Sequence, residues 1–391
     1  MSAGRLFERA FALASSTAVS VILLLLLFCL TFLGTLEQVD RGLFEVQQEY
    51  FGSLFVVHWA FGFLPLPLPG AYLLMALLFV NLLCGGVVRI RKGWRQAGIL
   101  IAHAGILILL AGAFVTFQYA VRGHMSLFEG DAANEFQSST AWEIAITAPG
   151  AGGSATQYVI PSRDFTRLRA KDTATFYHRA IPFELTVNRH LKNSRRLLTD
   201  AGREAGKSVE GHRLEILPPA KEPGENIPGA YVKMTDMGTG TIQEAVLWGA
   251  DAAPLVVAAG GAQWRIALKR RTWQLPFTIA LNQFIRELHP GTDKPRSFVS
   301  RVTKIDGDAQ AAAEISMNKP LRHKGYTLYQ ASWGPANAGP NDPLFTTLAV
   351  ARNPAEQVPL IATCIITFGL LVHYCLKLLG YLRAQNAGRS S

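Results

Sequence analysis

The stretch Gln96-Ala-Gly-Ile-Leu-Ile-Ala-His103-Ala-Gly-Ile-Leu-Ile-Leu-Leu-Ala-Gly-Ala-Phe114 decides the class of this chain. It is close to the roughly 20 apolar residues that a helix needs to cross a bilayer core, yet it holds an imidazole. A polar group in hydrocarbon is costly, so His103 is a functional candidate by position alone. It could ligate a metal or a heme iron, relay a proton, or hydrogen-bond a neighbouring helix.

Working outward, three more segments have the same character. They run at about Leu13–Leu33, Pro69–Val88 and Val358–Leu379, and the His103 segment itself spans Ala97–Tyr119. The chain has 391 residues, of which 49% are hydrophobic. That is too apolar for an ordinary soluble protein and too polar for a bundle of spans alone, so one part is expected in the membrane and another in water. The first segment is too long for a typical signal peptide, and no small-residue cleavage site follows it, so it reads as a retained span.

Charge placement gives the expected orientation. Arg5 and Arg9 precede the first span. Arg89, Arg91, Lys92 and Arg95 fill the short loop between the second and third. Lys377, in the last turn of the fourth, and Arg383 and Arg389 beyond it mark the C-terminal tail. The loop after the first span is acidic instead, with Glu37, Asp40, Glu45 and Glu49 against Arg41. Both termini are therefore expected in the cytoplasm and the large segment outside. The expected division is 1–34 (N-terminus and first span), 35–68 (outer loop), 69–119 (second and third spans with their basic loop), 120–356 (outer domain) and 357–391 (fourth span and tail). The net charge of +10 is mainly a topology signal, and no nucleic-acid patch stands out.

Cys29, Cys84, Cys364 and Cys375 all fall within the spans. The outer segments have no disulfide framework, Cys-x-x-Cys pair or thiolate zinc site. Residues 120–356 read as an all-β, sandwich-like domain, from short β-branched or aromatic runs such as Trp142–Thr147, Phe183–Val187, Ala230–Met234 and Trp264–Leu268 broken by Gly, Pro and Asn. Esterase, metalloprotease, P-loop and dinucleotide fingerprints are missing. His124, His178, His190, His212, His289 and His323 are scattered, and Lys269-Arg-Arg271 reads as a solvated strand end.

Four motifs in order resemble the ResB/CcsB family of system II cytochrome c biogenesis proteins. They are Leu33-Gly-Thr-Leu-Glu-Gln38; Tyr50-Phe-Gly-Ser53 with Asn81-Leu-Leu83; His103–Gly112 followed by Gly123-His-Met-Ser-Leu-Phe-Glu-Gly130; and Ser316-Met-Asn-Lys-Pro-Leu-Arg-His-Lys-Gly-Tyr-Thr-Leu-Tyr-Gln330. The topology of three spans, an outer β domain and a fourth span is similar too. The resemblance implies a bacterial plasma (inner) membrane protein that pairs with a CcsA/ResC-type membrane partner. Such a complex carries heme b, held transiently and non-covalently, to the outer face and attaches it to Cys-x-x-Cys-His of apocytochrome c. A thioredoxin-like thiol reductant also serves the pathway. The tryptophan-rich heme-handling loop belongs to the partner, and here Trp248, Trp264, Trp273 and Trp333 are dispersed. No catalytic acid or base is expected in this chain.

In that family a histidine of the third span is the proposed axial ligand to heme iron, which maps onto His103. His103 lies about 9 Å inside the membrane by helical rise, and His373, near the end of the fourth span, comes out at a similar depth. Two imidazoles on different helices can hold one iron. Ala102, Ala104, Gly105, Ala111 and Gly112 would let a porphyrin or a partner helix approach closely. His58 and Trp59, in the aromatic, proline-rich run Phe55–Pro69, read as a membrane-surface segment. The alternatives are a cytochrome b-type membrane anchor of an oxidoreductase and a cofactor-free scaffold with a β ectodomain.

Overall fold

The structure, a computed structural model, describes residues 3–150, 156–166, 168, 172–198, 209, 211–291, 295–335 and 342–389. It divides into two units: residues 1–121 with 352–391, and residues 122–351.

The first unit is helical. Its helices are α1 (Ala3–Ala14), α2 (Thr17–Arg41), α3 (Leu43–Val46), α4 (Ala71–Asn81), α5 (Ala97–Tyr119) and α6 (Val358–Arg389). Among the described residues, four segments are long and apolar enough to cross a membrane: Thr17–Arg41, Ala71–Val88, Trp94–Tyr119 and Val358–Asn386. The first begins later than the sequence suggests. Ser16 is extended (φ −79°, ψ 131°), so Leu13 belongs to a separate helix, α1, on which Arg5, Glu8 and Arg9 alternate with Leu6, Phe7 and Leu13. The reason is local: serine side chains offer the backbone bonds that compete with a continuous helix. The same helix ends later than expected, because α2 runs on through Glu37 to Arg41.

Two π-helical segments interrupt the regular geometry, at Gln47–Phe51 and at Leu82–Val88. Between the first of these and α4 lies a two-stranded antiparallel hairpin, β1 (Phe55–Ala60) and β2 (Leu64–Pro69). Leu23 and Leu30 of α2 stand two turns apart on one face. They pack with Val46, Tyr50, Val56, Ala71 and Leu74, which joins α2, the first π segment, β1 and α4 in one core.

The second unit is antiparallel β. In chain order its strands are β3 (Val121–Phe128), β4 (Ala132–Thr147), β5 (Gln157–Pro161), β6 (Ala174–Phe176), β7 (Phe183–Leu191), β8 (Ser194–Leu198), β9 (His212–Ile216), β10 (Gly229–Asp236), β11 (Ile242–Trp248), β12 (Leu255–Ala259), β13 (Ala262–Leu288), β14 (Pro295–Asp306), β15 (Ala309–Ser316), β16 (Leu321–His323), β17 (Tyr326–Gly334) and β18 (Phe345–Arg352). A large sheet has the order β15-β14-β13-β4-β3-β18-β17-β16, with β12 on β13 and β5 on β4. A smaller one has the order β11-β10-β7-β6. The core contains Ile144, Ile146 and Ile266 from the large sheet and Phe183, Val187, Val232 and Leu247 from the small one. That is sandwich packing, with inward residues at every second position.

The basic run Lys269-Arg-Arg271 is not a strand end. It lies within β13, where the Arg270 guanidinium stands 4.6 Å from the Trp142 ring centre and Arg271 stands 5.1 Å from that of Trp273. The register slips between Arg270 and Thr272 and again between Gln274 and Ile279, so the strand that starts before Trp264 runs on past Pro276.

Candidate functional site

α5 presents different residues to two neighbours. Gly98, Ala102, Gly105 and Gly112 are buried, and their spacing of four, three and seven keeps them on one side of the helix. That side meets α6. A Cβ added at Gly105 would lie 2.7 Å from Ile366 Cγ1 and 3.1 Å from the Ala362 carbonyl oxygen, and one at Gly98 would lie 2.5 Å from the Gly369 oxygen and collide with the His373 backbone nitrogen. In lipid, such close backbone approach holds helices together through dispersion. The small residues therefore admit a helix, α6, while Ala104 and Ala111 remain exposed.

This packing fixes the register of the two histidines. His373 stands opposite Gly98, in the first turn of α5. His103 is five residues further along, about 7–8 Å deeper by helical rise. The equal depth expected from counting along each span is not what the structure contains, because the α5/α6 register follows the glycines. His103 also lies about 160° around the helix from Gly105, on the side away from α6.

There His103 meets the end of the second span. Its Nδ1 lies 2.8 Å from the carbonyl oxygen of Gly86, within the π segment Leu82–Val88. Carbonyls in the last turn of a helix lack intrahelical partners, and a carbonyl only accepts. Nδ1 must therefore carry the proton, and in the neutral ring the lone pair is left on Nε2. Among the described residues Nε2 makes no hydrogen bond. Gly86 is small by necessity, since a Cβ there would lie 2.6 Å from His103 Nδ1.

A buried polar network supports this arrangement. Asn81, the last residue of α4, donates from Nδ2 to the carbonyls of Ala14 (2.8 Å) and Ser16 (3.0 Å), and its Oδ1 accepts from Ser20 Oγ (2.6 Å). Arg89 donates to Ser15 Oγ at 3.2 Å. The break between α1 and α2 is thus bonded to both ends of the π segment that offers Gly86. The sequence motif that contains Asn81 does not reveal this role. An asparagine within an uncharged apolar run was the available signal.

His373 has a different environment. Its Nδ1 is buried without a hydrogen-bond partner, and its ring meets that of Tyr374 edge-on with centroids 5.4 Å apart. Buried polar atoms are usually paired, so an orphan of this kind needs an explanation.

At the other end of this unit His58 is better connected than the sequence suggested. Its Nδ1 lies 2.7 Å from Tyr50 Oη and 3.4 Å from Glu37 Oε1, and Glu37 is 3.6 Å from Arg41. Burial, followed by the negative charges of Glu37 and Glu49, pushes the Tyr50 hydroxyl up to about 12, so it stays protonated as a donor. A cavity of about 750 Å3 between α2, α4 and α5 is lined by rings, Tyr72, Phe79, Phe114 and Phe117 among them, with Thr31 as a polar exception.

In the β unit, His323 pairs with Asp306 at 2.9 Å. Among the described residues no three His, Cys, Asp or Glu side chains form a cluster able to hold a metal. The free cysteines all sit in the helical unit.

The profile of the ResB-like family matches residues 246–343, from the end of β11 through β17. Over that segment the chain is similar to the ResB-like family. Protein NrfI of Wolinella succinogenes is 24% identical over 301 residues, which cover 76% of this chain and 29% of that protein. Cytochrome c biogenesis protein CcsB of Synechococcus sp. (strain CC9605) is 37% identical over 86 residues, 21% of this chain and 17% of its own length. The CcsB of Prochlorococcus marinus is 36% identical over 84 residues. The chain therefore matches less than a third of the length of each of these relatives.

Proposed function

We propose that this chain works in cytochrome c biogenesis, as the ResB/CcsB-type subunit of a plasma-membrane complex that moves heme across the bilayer and presents it to apocytochrome c. The observation that carries the reading is His103: an imidazole within a membrane-spanning helix, its Nδ1–H given to the Gly86 carbonyl and its Nε2 left unbonded among the described residues. A backbone carbonyl on the far nitrogen is the usual outer-shell partner of a metal-bound histidine; it fixes tautomer and ring orientation and raises basicity. The donor set fits heme iron, the cargo of this pathway.

His103 would supply one axial ligand through Nε2. His373 is the second candidate within the chain, and its orphaned Nδ1 supports a demand for a ligand or a donor there. The α5/α6 register places it on another side of α5, opposite Gly98. The other axial ligand to iron on His103 is therefore assigned to a CcsA/ResC-type partner. The same register weighs against a bis-histidine anchor built from this chain alone.

The chain's remaining work is positional. Thiol addition to a vinyl group depends mostly on holding the reactants together, and no acid or base in this chain is assigned to it. The four cysteines lie in membrane helices or beside them, so thiol reduction of apocytochrome c falls to a separate thioredoxin-like protein. The basic flanks of the spans favour cytoplasmic termini with the β unit on the other side.

The test is reconstitution. The chain and a CcsA-type partner are expressed with a c-type reporter in a host stripped of its own maturation system. Covalent heme on the reporter, lost when this chain is omitted, is the expected result. Equal maturation without this chain would overturn the reading.

A further inference from the structure

The β1–β2 hairpin leaves a large apolar surface uncovered. Phe61 is 89% exposed, Phe63 74% and Phe55 71%, and the Phe61 and Phe63 rings stack with centroids 6.3 Å apart. From Leu54 to Val88 the chain contains no Asp, Glu, Lys or Arg. Phe61 (φ 54°) and Gly62 (φ 79°) both adopt left-handed backbone, which makes a tight turn that projects the two rings from the tip. On the strands, Phe55, Val57 and Trp59 of β1 face outward beside Pro69, Pro67 and Pro65 of β2. The opposite face is covered at its base, where Val56 joins the helical core.

The prolines tell what this surface meets. Gly70 donates to the Leu54 carbonyl at 2.8 Å, so these residues form a hydrogen-bonded pair. Alternation along the ladder then makes Val56–Leu68, His58–Leu66 and Ala60–Leu64 the other bonded pairs. Pro65, Pro67 and Pro69 take the positions whose nitrogens point away from β1. An ordinary residue there would expose an N–H at the open edge; these three have none. Such an edge resists pairing with another strand. It also removes the donors that an apolar medium leaves unsatisfied. The hairpin's base is tied to Gly70, and Ala71 begins a helix apolar enough to cross the membrane.

We infer that the β1–β2 hairpin is a membrane-inserted paddle: its tip Phe61-Gly62-Phe63 and its Phe55/Trp59 face lie among the lipid acyl chains of the leaflet at which α4 begins. The hairpin then fixes the level of His58 and Tyr50 at that surface.

The test uses the full chain in phosphatidylcholine nanodiscs. In a background with Cys29, Cys84, Cys364 and Cys375 changed to Ala, Phe61→Cys carries an environment-sensitive fluorophore, and Asp308→Cys, in an exposed turn of the β unit, carries the same label as an aqueous control. At position 61 the expected result is blue-shifted emission, loss of most of the signal when the acyl chains are brominated, and resistance to iodide. The label at 308 should behave in the opposite way. Iodide quenching at 61 would overturn the inference. So would protection from both quenchers, which would mean that protein covers the tip. Acyl-chain diazirine lipids give a second readout on the unsubstituted chain: adducts within 54–70 are expected, and adducts confined to the four helices would overturn the inference.

Discussion

Gly86→Ala tests the link between the second span and the His103 ring. A Cβ at this position would stand 2.6 Å from Nδ1 and 3.1 Å from Cε1 of His103. Ordinary contact begins near 3.4 Å, so the ring must retreat by roughly 0.8 Å. The 2.8 Å bond to the Gly86 carbonyl then stretches to about 3.6 Å, beyond hydrogen-bond range. The lost bond costs about 0.6–1 kcal/mol, the membrane values lying at the low end. Gly→Ala in a helix returns up to about 1 kcal/mol. Stability should therefore change little. Heme binding should change a great deal, because losing an outer-shell partner of a metal-bound histidine lowers affinity about 10–100-fold, or about 1.4–2.8 kcal/mol. The assay is a heme titration followed at the Soret band in nanodiscs with the partner present, beside a thermal melt of each protein. A wild-type affinity and spectrum in Gly86→Ala would refute the claim that this carbonyl sets the ring for iron.

Other consequences follow from the packing and the titration of particular side chains. Gly105→Leu places a side chain where even a Cβ lies 2.7 Å from Ile366; overpacking of this kind costs about 1–3 kcal/mol, so the melting temperature in detergent should fall, and an unchanged value would contradict the α5/α6 register. Asn81→Leu strands the Ala14 carbonyl, while the Ser16 carbonyl keeps the Ser20 N–H; at about 1–3 kcal/mol for the buried group left unpaired the variant should unfold earlier in a denaturant titration, and a wild-type midpoint would show the network to be dispensable. In the β unit, burial pulls His190 down to about 4, and its ring stands edge-on to Phe165. Between about pH 6.5, the unfolded value, and pH 4 the unfolded chain binds the extra proton. The stabilisation is complete above pH 6.5 and is lost as pH falls; at pH 5 the loss is about 2 kcal/mol. His190→Leu should flatten that part of the pH–stability curve, and an equal slope in the variant would place the titrating group elsewhere.

The four spans were legible because length and apolar composition suffice to mark them. Their ends were not. Serine 15 and 16 break the first helix after Leu13, and the acidic residue Glu37 did not stop α2, because helices continue past hydrocarbon wherever the backbone bonds remain favourable. The β unit was legible where β-branched and aromatic residues cluster. It was hidden at β15, whose Ala309–Glu314 segment has weak strand preference, and at β13, where Pro276 and three cations looked like an ending. His103 stood out as a polar group in an apolar run. Its partner did not, since a backbone carbonyl freed in the last turn of a π segment leaves no trace in composition. The relative depth of His103 and His373 was misjudged for a related reason: counting from each span's end ignores the glycine contacts that slide α6 along α5. His58 was underrated because its neighbours Tyr50 and Glu37 meet it only after the chain turns through a π segment and a hairpin.

The most direct measurement is the visible spectrum, oxidised and reduced, of the chain co-purified with a CcsA-type protein, for wild type and His103→Gly. The account predicts a low-spin spectrum with sharp reduced α and β bands in the wild type, a high-spin or heme-free variant, and recovery of the low-spin bands when imidazole is added. An unchanged low-spin spectrum in His103→Gly would contradict it and assign both axial ligands to other residues.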